Sequence, residues 1–401
     1  MDMPGDQSVA AKAAWPLIWP RKLNQIPKEV FVSPGLFEAE LKTIFHGDIW
    51  HPVAHAAELP NPGDFKTFSL GRTPLLITRG ADGKINVLVN SCTHRGTQVE
   101  MCAAGNRKEF ECPYHRWAFE ISGELIGCPG MSEFSPDFDK SRYGLARLRS
   151  AEFLGVVFAT MGDNTPALAQ WLGEDMIRAM KVILGDGRLK LLGYQKVRYQ
   201  VNWKAYNDND GYHAGLLHTA FRLLNWQGGK GAQFMTENGH MSIMAELQPL
   251  RNVGFLKDPS LITFKGQDPA KRASVLELFP IGVMVKHLDT INIRFAIAHS
   301  HDCTEVHYAY FAHQDDDEEM LRHRTRQASN LLGPCGMISM EDASIFQRIH
   351  IGSFSPGVAE FQKGVKDPYA LPVDVAQNDE TGQLPKWEYY RRLMNFQRAE
   401  I

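Results

Sequence analysis

Two short segments pair the residue types that hold metals: Cys92-Thr93-His94-Arg95-Gly96 and, further on, Cys112-Pro113-Tyr114-His115-Arg116-Trp117. Each elbow can give one thiolate and one imidazole to a shared centre. Two thiolates on one iron and two imidazoles on the other describe a mixed-ligand [2Fe-2S] cluster, which is easier to reduce than an all-thiolate one. Such a cluster suits a protein that takes up single electrons and passes them on. A structural zinc site uses the same four side chains, but its elbows more often pair Cys with Cys and His with His. Here the types are mixed within each elbow, which favours the cluster. Asp82-Gly83 reads as a tight turn between Leu75-Leu76-Ile77 and Ile85-Asn86-Val87-Leu88-Val89, and Ser122-Gly123 as another after Trp117-Ala118-Phe119. Both elbows then become loop tips on small antiparallel ribbons.

A second constellation is Asp210-Gly211-Tyr212-His213-Ala214-Gly215-Leu216-Leu217-His218, preceded by Asn202-Trp203-Lys204. His213 and His218 would lie about 140° apart on a regular helix. A shared metal therefore requires a distorted or widened turn between them. Two His and one carboxylate make the facial triad that leaves positions open for dioxygen on non-haem Fe(II). Two structural His on an apolar helix are the alternative, and the upstream elbows tip the balance toward the metal.

The elements that must position these groups follow from the rest of the 401 residues. With 44% hydrophobic and 22% charged residues and a net charge of −3, the chain is long enough for two domains, and nothing recommends nucleic acid or an anionic membrane as partner. No run reaches the length of a membrane span and no secretory pattern opens the chain, so a soluble cytoplasmic protein is expected. Six Cys are too few for a disulfide scaffold. Cys102, Cys128, Cys303 and Cys335 are expected to be buried or partly buried thiols. We divide the chain into an irregular arm with a short helix (1–45, helix from Pro34 to Phe45), a strand-rich cluster domain (46–161) and a second domain (162–401). The break falls at Gly162-Asp163-Asn164-Thr165-Pro166, and Leu168 to Leu184 resumes as helix. Ile291, Ile293, Phe295 and Ile297 alternate along one strand, Val306, Tyr308 and Tyr310 along the next. Helices over 210–222 and 318–332 would cover that sheet in an α+β layered arrangement. No Gly-x-Gly-x-x-Gly follows a strand, so a nucleotide-bound reductant must act through another protein.

Cys-x-His-Arg-Gly and Cys-Pro-Tyr-His-x-Trp resemble the N-terminal domain of the large (α) subunits of Rieske-type aromatic-ring-hydroxylating oxygenases. Arg116 stands where that family often has Gly or another small residue. Asp-x-Tyr-His-Ala-x-Leu-Leu-His is similar to the family's iron-binding helix, especially in members acting on aromatic carboxylates. The resemblance implies that Cys92, His94, Cys112 and His115 hold a Rieske [2Fe-2S] cluster and that His213 and His218 bind a mononuclear Fe(II). It makes Asp210 a bridging carboxylate between a ligand His and a cluster His of the neighbouring subunit. Family members carry Glu-Asn upstream and two more residues before the Asp; here the segment is Ala205-Tyr206-Asn207-Asp208-Asn209, which leaves Asn207 and Asp208 as alternatives near the iron. Met340-Glu341-Asp342-Ala343-Ser344-Ile345-Phe346-Gln347 resembles the segment with the family's carboxylate ligand, giving Asp342, with Glu341 as runner-up. Without a metal the same pair would be an acidic first helical turn.

The implied fold is α+β: an all-β Rieske domain, then a helix-grip-like antiparallel-sheet catalytic domain, the likeness running from about residue 36 onward. The implied protein is a terminal oxygenase. It takes electrons from NAD(P)H through a separate reductase or ferredoxin and uses O2 to hydroxylate or cis-dihydroxylate an aromatic ring, that of an aromatic carboxylic acid. A homotrimer is implied, with or without a small β subunit (α3β3). Arg222, Arg251, Lys286 and His287 are the cations considered for a substrate carboxylate. Two alternatives remain: a demethylase or aliphatic hydroxylase using the same irons, and a non-enzymatic zinc-binding or electron-carrier protein.

Overall fold

The computed structural model describes residues 17–209, 211–219, 231–246, 254, 256–266 and 272–400. Alternation of apolar side chains builds the second half around an eight-stranded sheet, all of whose pairings are antiparallel. From one edge the order is Leu189–Tyr199, Cys303–His313, Thr290–Ser300, Gly282–His287, Arg272–Leu278, Met241–Glu246, Gly231–Met235 and Val375–Ala376. The period of two sends successive side chains to opposite faces, yet the Thr290–Ser300 strand is buried on both. On one face Phe295 meets Phe68 of the first half edge to face, ring centroids 6.3 Å apart. On the other, directly opposed residues line up as Glu277, Val283, Arg294 and Tyr308 across four neighbouring strands.

The first half contributes a four-stranded sheet ordered Ile85–Val89, Thr73–Arg79, Asp64–Leu70, Ala104–Asn106, and a three-stranded one of Glu109–Glu111, Ala118–Glu120 and Leu125–Gly127. The Asp82-Gly83 and Ser122-Gly123 turns lie where the dipeptides predict, with Gly83 at φ +80° and Gly123 at φ +101°, a region that glycine enters without steric cost. A third sheet of Arg149–Phe153, Val156–Thr160 and His51–His55 completes this half.

Burial divides differently from the chain order. A small cluster of Phe65, Leu76, Leu88, Phe110, Trp117 and Phe119 encloses Cys92 and Cys112. A much larger one runs from Trp19 through Phe158 and Trp171 to Phe396, so the core is continuous across residue 161. Both ends of the described chain enter that larger core. Gln25–Pro27 pairs with Val358–Glu360, and Trp19 packs against Trp387 and Phe396 at 6.4 and 5.4 Å. The helix predicted from Pro34 is regular to Glu40 and continues as one widened π turn over Leu41–Phe45. Its fully buried Glu40 accepts from Lys204 Nζ at 2.6 Å, from Trp203 Nε1 at 2.7 Å and from the Tyr390 hydroxyl. Cys128 and Cys303 are partly buried as expected, whereas Cys102 and Cys335 lie at the surface. Among the described residues no helix is long and apolar enough to cross a membrane.

Candidate metal centres

The two elbows fold into the same loop. In the first, Cys92 N donates to Thr97 O and Gly96 N to Cys92 O, both at 2.8 Å; in the second, Cys112 N donates to Trp117 O at 2.8 Å and Arg116 N to Cys112 O at 3.0 Å. Gly96 and Arg116 therefore occupy equivalent positions, and both are left-handed, at φ +75° and +61°. That is the physical content of the departure noted at Arg116: a side chain here costs on the order of 1–2 kcal/mol that a glycine avoids. Its guanidinium Nε reaches Glu111 at 2.7 Å across the loop. Both thiols are buried, while His94 is exposed and His115 half-buried, their ring centroids 4.5 Å apart. Trp117 stacks on His94 at 4.7 Å and 7°. Burial, with the neighbouring Cys112, pushes the Cys92 thiol up, and desolvation with the cationic neighbours His94 and Arg95 pushes His115 down toward the neutral imidazole that binds a metal. Two thiols inside and two imidazoles outside fit a cluster with one end in the core and the other at the surface.

The second centre resolves the spacing problem by interrupting the helix. Gly211–Leu217 is helical, His218 falls out of helical geometry and Thr219 is helical again, while residues 220–222 of the expected helix lie outside the described residues. The imidazoles thereby converge, with ring centroids 5.4 Å apart. Asp342 approaches from the first turn of the Ser339–Gly352 helix; its Oδ1 lies 3.5 Å from His213 Nε2 and 3.3 Å from His218 Nε2. One ligand atom from each of the three side chains falls within 4.8 Å of the others. Burial alone would raise the Asp342 carboxyl, but the two rings beside it hold it below the ordinary carboxylate range, and burial keeps His218 neutral. Asp342 Oδ1 is buried and makes no well-aligned hydrogen bond, so its lone pairs suit a cation. Two imidazoles and a carboxylate fit a 2-His-1-carboxylate iron site. Glu341 points elsewhere: its Oε2 lies 3.4 Å from His218 Nδ1 and accepts from Thr219 N at 2.9 Å, an arrangement that orients the ring from behind.

The three side chains open on a pocket walled by Ile243, Val275, Val283, Val285, Leu332 and Ile338. Of the two upstream polar candidates, Asn207 lines it and donates to Pro280 O at 2.9 Å, while Asp208 is not part of the lining. Lys286 is on the wrong face of its strand, between the pocket-lining Val285 and His287. Asp210, Arg222 and Arg251 lie outside the described residues. One cation in the wall escaped the sequence reading: Arg294, buried in a strand whose alternation had marked only its apolar face.

Residues 49–148 match the model of the Rieske [2Fe-2S] domain and residues 187–374 that of the ring hydroxylating alpha subunit (catalytic domain). The chain is 32% identical over 357 residues to the anthranilate 1,2-dioxygenase large subunit of Burkholderia cepacia, covering 82% of this chain and 84% of that one. Against the salicylate 5-hydroxylase large oxygenase component of Ralstonia sp. it is 28% identical over 360 residues, covering 82% and 85%. The fold superposes on naphthalene 1,2-dioxygenase from Rhodococcus sp. bound to indole with a TM-score of 0.80 at 22% identity, over 92% of this chain and 94% of the other. A Rieske domain joined to an antiparallel-sheet domain with a non-haem iron site defines an oxygenase. Within that class, this chain belongs to the Rieske ring-hydroxylating oxygenase α subunits.

Proposed function

We propose that the chain hydroxylates or cis-dihydroxylates the ring of an aromatic carboxylic acid, as the terminal component of a cytoplasmic system fed by NAD(P)H through a reductase or ferredoxin. The observation that carries this reading is the 2-His-1-carboxylate constellation opening on an apolar pocket large enough in its lining to take a ring. Relatives named for anthranilate and salicylate support the acid. Cys92 and Cys112 would hold one iron of the cluster and His94 and His115 the other; His213, His218 and Asp342 would hold the mononuclear Fe(II). When bound, these groups supply one-electron transfer and the reductive activation of dioxygen. The chain's own contributions are simpler. Ile243, Val275 and Val285 exclude water and hold the ring, His213 and His218 present imidazole nitrogens from one side, and Asp342 supplies the one carboxylate among the three ligands.

The test is coupled NAD(P)H and O2 consumption with the purified oxygenase and a reductase, against benzoates, salicylates and aminobenzoates beside N-methylated phenylureas. Hydroxylated or dihydroxylated acids are the expected products. Formaldehyde from the N-methyl compounds, with no acid turned over, would replace this reading by the demethylase one.

A homotrimer, with or without a small β subunit, goes with this reading. Exposed Met340, Ile351 and Phe354 on and just after the Asp342 helix, and Met101 and Tyr114 in the cluster domain, supply apolar surface suited to subunit contacts. Asp210 would then couple one subunit's iron site to the next subunit's cluster by accepting a hydrogen bond from an imidazole on each side. Asp210→Asn turns one acceptor into a donor. That protein is expected to keep a reducible cluster and most of its mononuclear iron yet lose nearly all turnover. Rapid-quench single turnover with a pre-reduced cluster checks this, and a normal product yield would make Asp210 merely structural.

A further inference from the structure

Arginine does not lose its proton in a protein, so a buried one needs a negative partner. Arg294 is buried in the pocket wall, and among the described residues no carboxylate forms an ion pair with it. Its hydrogen bonds go to neutral groups: Nε donates to Asn292 Oδ1 at 3.1 Å and Nη2 to Ser339 Oγ at 3.3 Å. The guanidinium carbon sits 4.8 Å from the centroid of the Tyr308 ring. The side chain is thus held through Nε and Nη2 while it lines the pocket. Asp342, whose charge is closest in kind to what Arg294 requires, is committed to the two imidazoles.

Position adds to charge. Ser339 and Asp342 lie three residues apart in one helix, so the group that fixes Arg294 and the carboxylate of the metal triad share a face one turn apart. On the sheet, Arg294 opposes Val283, and Val283 opposes Glu277, which lines the same pocket. Two strand spacings separate the backbones of Arg294 and Glu277 by about 10 Å. A pocket with a cation at one end of a row, an apolar residue in the middle and a carboxylate at the other orients an aromatic anion one way round. The ring lies over Val283, with the acid group toward Arg294 and away from Glu277.

We propose that Arg294 is the specificity-determining anchor of this pocket and takes the substrate's carboxylate through its guanidinium. This rests on the aromatic-acid reading above. The Asp342 carboxylate already favours the Arg294 charge from a distance, and the substrate would supply the direct ion-pair partner.

Binding, not turnover, tests it. Titration calorimetry of the oxidised holoenzyme, without reductant, would compare salicylate with salicylamide and benzoate with benzamide. The wild type is expected to prefer each acid over its amide. Arg294→Gln is expected to weaken the acids about 30-fold or more, as loss of a charge-assisted pair implies, while leaving the amides within about threefold. Arg294→Lys keeps the charge but loses the fork, and is expected to lower the acid preference about tenfold; it decides the matter if the Gln protein does not fold. An unchanged acid preference in either folded variant overturns the assignment of Arg294 and leaves the aromatic-acid reading standing. A wild type that binds the amides but not the acids overturns the aromatic-acid reading, and this proposal with it.

Discussion

His213→Ala, His218→Ala and Asp342→Ala proteins are each expected to lose the mononuclear iron and all detectable product, yet to keep the visible and EPR signature of a Rieske cluster. The first half of that result follows from ligand number. With three protein ligands within 4.8 Å of one another among the described residues, removing one leaves a two-point site that cannot retain Fe(II) against buffer and chelator. The second half follows from packing. Cys92 and Cys112 sit in a small buried cluster of their own with Trp117 and Phe119, whereas His213 and Asp342 are set on helices, and His218 just after one, outside it. Metal analysis beside absorption spectra reads both halves at once. Simultaneous loss of iron and cluster would show that the two sites do not fold independently. Glu341→Ala is the internal control: behind His218, it is expected to weaken iron binding about 10- to 100-fold without abolishing it. If Asp342→Ala retained its iron and Glu341→Ala did not, the carboxylate ligand would be one residue away from its assignment.

The second large effect is on stability. Glu40→Ala is expected to cost about 3–5 kcal/mol, because it strands the Lys204 ammonium in the interior and removes the acceptor of Trp203 Nε1 and the Tyr390 hydroxyl. Burial pushes the Lys204 amine down from its ordinary range, and the Glu40 carboxylate is what opposes that shift. Replacing both charges together, as in Glu40→Leu with Lys204→Met, is expected to recover a good part of the loss, since a buried ion pair is worth little more than well-packed apolar groups of its size. Denaturant midpoints of the three proteins check this. A Glu40→Ala midpoint equal to the wild type's would sink the argument.

The cluster elbows were legible because metal binding reads residue types at short spacing, and those survive any folding. The Cys-x-His and Cys-x-x-His pairs needed no tertiary information, and even the anomaly at Arg116 had a local cause in the handedness of one backbone position. The iron site was legible only in part. Helical periodicity set His213 and His218 apart, and the interruption at His218 that brings them together is not written in the spacing. Asp342 and Glu341 are adjacent acids; which one meets the imidazoles depends on helix rotation, a property of packing. Arg294 was missed for a related reason. Alternating Ile291, Ile293, Phe295 and Ile297 suggested one buried face and one wet one, and a polar residue on the second face reads as solvent-exposed until helices are seen to cover it. The same alternation, applied to Val283, Val285 and His287, would have put Lys286 on the other side. The Glu40 network could not be foreseen, since its members are separated by most of the chain.

That separation bears on how the protein is made. Trp19 and the Gln25–Pro27 strand find their partners beyond residue 357, and Glu40 finds its own at Trp203, Lys204 and Tyr390, so an early part of the chain is completed by the latest. At ribosomal rates of roughly 5–20 residues per second, synthesis of this length takes on the order of 20–80 s. Over most of that interval a nascent chain would carry Trp19 and Phe31 without the Trp387 and Phe396 rings that pack on them, and for the first half Glu40 without Lys204. The cluster-binding ribbons, whose contacts are local, can close early, but the larger core has high contact order and must wait. Shortening the chain before Leu384 would therefore not trim a tail; it would expose the inner surface of the amino-terminal arm and leave a product prone to aggregate, with its cluster domain already formed.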